Sequence, residues 1–280
     1  MESQSNISRV GASSTGLYLE PSEFSDIQTE VLFGEMVTIE SIDNSWARVT
    51  TTLDAYQGYV NVLDLIRDDY PATHRVSEVV VPVYSRSSFK WPMGGRPLNT
   101  NTGGRELYMN SLVRVTEEAE TPEGRMAKME YGWIFSDQIQ PVEYKAPDFV
   151  AECMKFLGCS YEWAARSRSL VDCSAMIQAG CIAAGIPCQR DSRPQSRTLG
   201  ESIDYAPDFS DLVRGDLAFW TEGKGCHVVV MVDSVHCLHA SIVMPRRVVI
   251  QPLTDVVRDQ ARDGNGSITG VRRIPGYTVN

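Results

Sequence analysis

The sequence predicts an α+β protein: two small β-barrels of short strands, followed by a domain in which helices pack on an antiparallel sheet. Three observations predict it. Roughly the first 140 residues are short alternating runs broken by turns. One residue pattern occurs twice within them. From Pro147 the apolar spacing becomes helical, and strand-like runs return after about residue 215.

In the first part, Met36–Ile42 alternates, Asp43-Asn44-Ser45 reads as a turn, and Trp46–Thr50 and Gly58–Val62 read as further strands. Leu32–Val37 is answered by Leu107–Val113, and Tyr56–Val60 by Glu130–Ile134. The repeat places one unit at 8–70 and a second at 76–142, each closing on Gly–aromatic–aliphatic with an aromatic residue just before it. Phe89–Arg105, rich in Gly, Asn and Pro, reads as a long exposed loop. Val142–Ala146 is a linker, and the third domain runs over 147–280.

That domain opens with a helix. Pro147 suits its first position, Phe149, Val150, Cys153, Phe156 and Leu157 share one face, and Gly158 suits its end. A second helix has Asp172 as N-cap, a nearly all-apolar body over Cys173–Ala184, and Gly185 and Pro187 as stop signals. So apolar a helix belongs at the centre of its domain. Strands are expected at Asp216–Trp220, His227–Val232, Cys237–Ile242, Val248–Leu253 and Gly270–Ile274.

Composition narrows the function. The 280 residues are 42% hydrophobic and 22% charged, which fits packed cores rather than disorder. A net charge of −10 makes nucleic acid and anionic lipid poor partners. No apolar run is long enough for a membrane span, and the first residues lack a basic start followed by an apolar stretch. The 7 cysteines, odd in number and all within Cys153–Cys237, read as reduced thiols and a cytoplasmic setting.

Chemistry centres on one thiol and two imidazoles. Cys173 lies in the first turn of the central helix, where peptide dipoles and free N–H groups favour an anion; a lowered thiol pKa is expected. Its own N–H is available as half of an oxyanion hole. A thiolate nucleophile needs a base that returns the proton to a leaving amine. His227 opens one strand and His239 lies in the next; a return of three or five residues sets them opposite each other on one face. His227 then meets the thiol and His239 holds its other nitrogen. The bland alternative is an inert packing cysteine with structural histidines. Zinc is disfavoured because Cys226 and His227 are strand neighbours pointing to opposite faces, so no metal or other cofactor is expected. His74 and His236 sit in loop-like contexts and take no role.

Two resemblances follow from these residues. Leu32–Val37, Trp46–Val49 and Tyr56–Val60, with the poorer second copy, resemble bacterial SH3-like (SH3b) domains. Tyr161-Glu162-Trp163, Asp172-Cys173-Ser174, Arg190-Asp191-Ser192 with Gln195, Gly215-Asp216-Leu217 with Phe219-Trp220, His227-Val228 and His239-Ala240, in that order, resemble the NlpC/P60 cysteine peptidases, whose fold looks like a compact papain core. The combination is similar to the γ-D-glutamyl-L-diamino acid endopeptidases, which cleave murein peptides.

The resemblance implies Cys173 as nucleophile, His227 as base, His239 as its orienting residue and Tyr161 near the oxyanion. It implies that Tyr56, Asp172, Ser174, Asp191 and Ser192 receive the free amine of an N-terminal L-Ala, with Trp163 lining the same end and Glu30 or Glu35 adding an acidic group. The partner is then a murein peptide, met in cell-wall peptide recycling. Lys and diaminopimelate both fit as diamino acid, and the oligomeric state is not read. Ala164-Ala165, Leu170 and Ala175 stand where the family usually has Gly, which puts the loop shape and the substrate preference in question. A related thiol amidase or acyltransferase, and a non-catalytic peptide-binding module, are the alternatives.

Overall fold

The computed structural model describes residues 6–66, 71–90, 106–223 and 225–277. The chain forms two compact units: Met1–Tyr144 with Arg166–Arg168, and Lys145–Ala165 with Ser169–Asn280.

The first unit begins with β1 (Ile7–Val10), β2 (Ser14–Tyr18), β3 (Ile27–Leu32), β4 (Met36–Asp43), β5 (Trp46–Thr51), β6 (Gln57–Asn61) and β7 (Leu65–Ile66). They form one sheet in the order β3-β2-β6-β5-β4-β1-β7. Asp43 pairs with Trp46, so Asn44-Ser45 is a two-residue hairpin loop, and Asn44 takes the left-handed conformation that Asn tolerates. Leu17, Val37, Ala47, Val49 and Val60 form its core.

The same unit continues with β8 (His74–Val76), β9 (Val80–Pro82), β10 (Glu106–Tyr108), β11 (Leu112–Val113), β12 (Glu117–Thr121), β13 (Gly124–Met129), β14 (Gly132–Phe135) and β15 (Ile139–Pro141). These make three small sheets, β10-β9, β11-β8-β15 and β12-β13-β14. Phe33 joins Val76, Val81, Leu107 and Ile134 in their core. Gly34, at φ +80°, permits this join: a Cβ there would lie 2.1 Å from the Leu112 carbonyl oxygen.

The strand content matches the sequence expectation, and the ladders form open sheets. The register shifts within β2 and β4 mark irregularities of the β-bulge kind. The loop expected at Phe89–Arg105 lies, beyond Lys90, outside the described residues.

The second unit is a helix-and-sheet body. It comprises α1 (Phe149–Met154), β16 (Ser160–Tyr161), β17 (Leu170–Val171), α2 (Cys173–Ala183), α3 (Ser192–Thr198), β18 (Glu201–Ile203), β19 (Leu217–Trp220), β20 (His227–Met231), β21 (His236–Ala240), β22 (Val248–Pro252), α4 (Leu253–Arg262) and β23 (Gly270–Arg273). Six strands form a sheet in the order β18-β23-β19-β20-β21-β22. α4 lays Leu253 and Val256 on the sheet face carrying Ala218, Trp220, Val229, Met231 and Cys237. α2 packs against β20, β21 and α1. Asp148, not Pro147, starts α1: its carboxylate accepts from the Val150 and Ala151 N–H groups, which leaves Pro147 outside the helix. α1 is also shorter than expected and ends at Met154. No described helix is long and apolar enough to cross a membrane.

Candidate active site

The start of α2 is built around Asp172. It is the N-cap, as its sequence context predicts, and its Oδ1 accepts from the Ala175 N–H at 2.8 Å and the Ser174 hydroxyl at 3.1 Å. The buried Arg190 guanidinium donates to both oxygens, at 3.0 Å (Oδ1) and 2.6 Å (Oδ2). Oδ2 also accepts from the Ala164 N–H at 3.0 Å. Five donors therefore converge on one buried carboxylate. Asp172 fixes the helix start, the loop before it and Arg190 together.

Arg190 also donates to the Ser174 hydroxyl at 3.0 Å. The Gln195 amide donates to the Ser174 carbonyl at 3.0 Å and to the Gln189 carbonyl at 2.8 Å. The Arg190-Asp191-Ser192 segment is thus drawn to the start of α2. Asp191 is the N-cap residue of α3 and Ser192, buried, is its first residue.

Cys173 follows Asp172 and is 7% exposed. Burial and the neighbouring Asp172 charge push its thiol up to about 12, although the Val228 and Ser174 N–H groups and Arg190 pull the other way. This corrects the expectation of a lowered pKa. The helix-start donors are present, but desolvation of the sulfur outweighs them, so the resting group is a thiol. The Val228 N–H bond places the sulfur beside the residue that follows His227. Burial raises the hydroxyl pKa of Tyr161, on β16, and its neighbours Cys173 and Asp172 act in the same direction. Trp163 is 71% exposed.

His227 and His239 meet: the His227 Nε2 lies 3.0 Å from the His239 Nδ1, and the rings are near perpendicular at 79°. The return between the strands uses three residues, Asp233–Val235, with Val232 N–H bonded to the His236 carbonyl. Asp233 Oδ1 accepts from the Val235 and His236 N–H groups and closes the turn. Val230 pairs with Leu238 and Met231 with Cys237. Continued along the strands, this register sets Val229 against His239. His227 is therefore one same-face position along, diagonal to His239 rather than directly opposite. Burial and the neighbouring His239 hold the His227 pKa well below the usual imidazole range. Burial also lowers His239, opposed by its bond to Gln251 and by the Asp259 charge.

Sequence reasoning missed two residues here. Gln251 Oε1 lies 2.8 Å from the His239 Nε2. It sits on β22 opposite Cys237, hence on the face of His239. Its one sequence signal is a polar residue in an apolar run, which cannot show what it faces. Arg190 lay inside a quoted motif, but its pairing with Asp172 spans 18 residues. His236 pairs with Asp233 in the turn. The Cys226 sulfur lies 3.9 Å from the Thr221 carbonyl. Among the described residues, no group of three or more His, Cys, Asp or Glu is arranged to hold a metal ion.

The remaining candidates belong to the first unit. Tyr56 is half-buried against the core of the first sheet. Glu35 is 6% exposed and accepts at both oxygens from the Arg166 guanidinium, at 2.7 and 3.0 Å, and at Oε2 from the Leu32 N–H at 3.0 Å. Glu30 accepts from the Arg166 N–H at 2.6 Å and the Ser167 hydroxyl at 2.8 Å. Both carboxylates are engaged within their own unit.

Residues 17–65 match the family model described as the bacterial dipeptidyl-peptidase Sh3 domain, and residues 158–261 match that of the NlpC/P60 family. The chain is 24% identical over 243 residues to dipeptidyl-peptidase 6 of Lysinibacillus sphaericus, covering 81% of this chain and 84% of that protein. It is 25% identical over 232 residues to the gamma-D-glutamyl-L-lysine dipeptidyl-peptidase of Bacillus cereus, covering 76% and 67%. The solved structure of an NlpC/P60 family protein from Bacillus cereus has a similar fold, with a TM-score of 0.73 at 20% identity, covering 95% of this chain and 99% of that one.

Proposed function

We propose, from the premise that this chain belongs to the NlpC/P60 family and is a peptidase of cysteine type, that it hydrolyses the γ-D-Glu–diamino acid bond of murein peptides bearing a free N-terminal L-Ala. The observation that carries the reading is the hydrogen-bonded His227–His239 pair with the Cys173 sulfur beside the start of the same strand. The names of the relatives support the bond and the free amine: a dipeptidyl-peptidase counts two residues from an N-terminus.

Three steps then follow from the residues. His227, neutral at pH 7 because burial depresses its pKa, takes the Cys173 proton as the sulfur attacks the amide carbon. The Cys173 N–H at the helix start and the nearby Tyr161 hydroxyl receive the developing oxyanion. The imidazolium returns the proton to the departing amine, and water hydrolyses the thioester by the reverse path. On this reading Ser174, Asp191, Ser192 and Trp163 of the second unit receive the amine end. Asp172 acts there chiefly by holding the loop and helix in place, since five donors already occupy it. The task is wall-peptide recycling in the cytoplasm, in line with seven free thiols.

L-Ala-γ-D-Glu-diaminopimelate and its N-acetylated form test this directly. Cleavage of the free peptide alone is expected, with no cleavage by Cys173→Ala. Equal cleavage of both peptides removes the amine requirement. A mass-spectrometric screen in which only other acyl compounds are consumed favours the amidase or acyltransferase alternative.

A further inference from the structure

We infer that Gln251 is a positioning residue that sets the protons of both imidazoles and so leaves His227 able to act as a base. The inference rests on the proposed thiol–imidazole reading and adds a residue that the sequence motifs do not contain.

The argument follows the hydrogen bonds from the far end. A side-chain amide oxygen only accepts. Gln251 Oε1, 2.8 Å from the His239 Nε2, therefore requires the proton of neutral His239 on that nitrogen. The His239 Nδ1 is then bare and accepts. Its partner at 3.0 Å, the His227 Nε2, must carry the His227 proton. The His227 Nδ1 is left unprotonated, which is the requirement for a base. One acceptor thus decides the state of a nitrogen two rings away.

Reversing the amide would reverse every proton. An N–H from residue 251 would place the His239 proton on Nδ1 and strip the His227 Nε2. The Nδ1 of His227 would then hold the proton and could not take one from a thiol. Gln also differs from Glu here. A carboxylate would accept equally well but would favour a charged His239. Imidazolium donates from both nitrogens, so it would again force the proton of His227 onto Nδ1. The groups bearing on these rings are Gln251 from β22 and the Asp259 charge from α4, with the Trp220 ring 6.0 Å from that of His227; the Cys173 sulfur lies at the N–H of Val228, the residue after His227. A neutral acceptor at 251 keeps that one acidic neighbour from being joined by a second.

The test reads Cys173 directly. Iodoacetamide alkylation of the intact chain, followed by mass spectrometry at Cys173 across pH 4–9, reports when the imidazole can take the thiol proton. The acid limb in Gln251→Glu is expected to rise by about one pH unit, with alkylation at pH 6 down about tenfold and recovering by pH 9. Gln251→Leu is expected to lose at least about tenfold throughout, with no recovery. A merely structural role predicts no displaced limb in the near-isosteric Glu variant. An unmoved acid limb in the folded Glu variant, or an undiminished rate in the folded Leu variant, overturns the inference. Imidazole nitrogen-15 spectra of the unsubstituted protein decide it without any variant. Protons on Nε2 of both His227 and His239 are expected, and a proton on the His239 Nδ1 overturns it. Displaced limbs without cleavage of the murein peptide would fault the proposed substrate and leave Gln251 in place. Normal cleavage with unmoved limbs would fault Gln251 alone.

Discussion

Replacing Arg190 with Ala removes the strongest donors from the carboxylate that organises the start of α2. Arg190 is 2% exposed and Asp172 5%. The two bonds to Asp172, at 3.0 and 2.6 Å, and the one to Ser174, at 3.0 Å, would all be lost. Breaking a buried ion pair from one side costs about 3–5 kcal/mol, because the other charge remains buried. Asp172 keeps the Ala164, Ala175 and Ser174 donors, so a value near 3 kcal/mol is expected. With a urea slope of about 2 kcal/mol per molar, the midpoint falls by about 1.5 M. The assay is urea unfolding of the full chain, in which the chain's two compact units give separate reporters. Only the transition of the second unit should move. The double variant Arg190→Met with Asp172→Asn removes the stranded charge and should regain part of the loss. A cost under about 1 kcal/mol, or no recovery in the double variant, would refute the view that Asp172 needs Arg190.

Ala164 takes φ +67° with its N–H on Asp172, so Ala164→Gly should stabilise by about 0.5–1 kcal/mol, read as a raised melting temperature. At Gly180 of α2 a Cβ would lie 2.4 Å from the Cys153 sulfur and 2.6 Å from the Phe149 carbonyl oxygen. Gly180→Ala should therefore cost about 1–3 kcal/mol, and adding Cys153→Ala should restore only part, since the backbone clash remains. His227 has its pKa depressed on folding, so the unfolded chain binds the proton first as pH falls below about 6.5. The stability is full above that pH. It should drop by about 1.4 kcal/mol between pH 7.5 and 5.5 from His227, with a smaller share from His239. Urea midpoints at the two pH values check this, and His227→Gln should flatten the difference.

What the sequence made legible were the elements whose signal is local. Asp172 before an apolar run announced α2, and Asn44 announced the first hairpin. β1, β2 and β3 were not anticipated, because segments such as Ser14–Tyr18 (STGLY) and Ile27–Leu32 (IQTEVL) lack clean alternation and become strands through their ladder partners. α4 was missed for a different reason. Its core-facing residues, Leu253, Val256 and Gln260, are sparse in a polar run, and the preceding strand's apolar residues masked its start. The thiol pKa was misjudged because the helix start is visible in sequence, whereas the burial that opposes it is not.

The distinction reaches into the chemistry itself. Cys173, His227 and His239 are recognisable by residue type, since few side chains can serve as nucleophile or base. Arg190 and Gln251 are not, since their roles depend only on what they face. Yet a thiol pushed up to about 12 and an imidazole held low are both neutral at rest. Proton transfer within such a pair gains little from either group's intrinsic acidity. It depends instead on where the imidazole proton already sits and on how firmly the sulfur is aimed. Those two conditions are set by the amide at 251 and by the carboxylate at 172 with its guanidinium. Arg190 and Gln251, whose partners the sequence does not show, are therefore the residues on which the proposed thiol–imidazole chemistry depends, together with the legible Asp172.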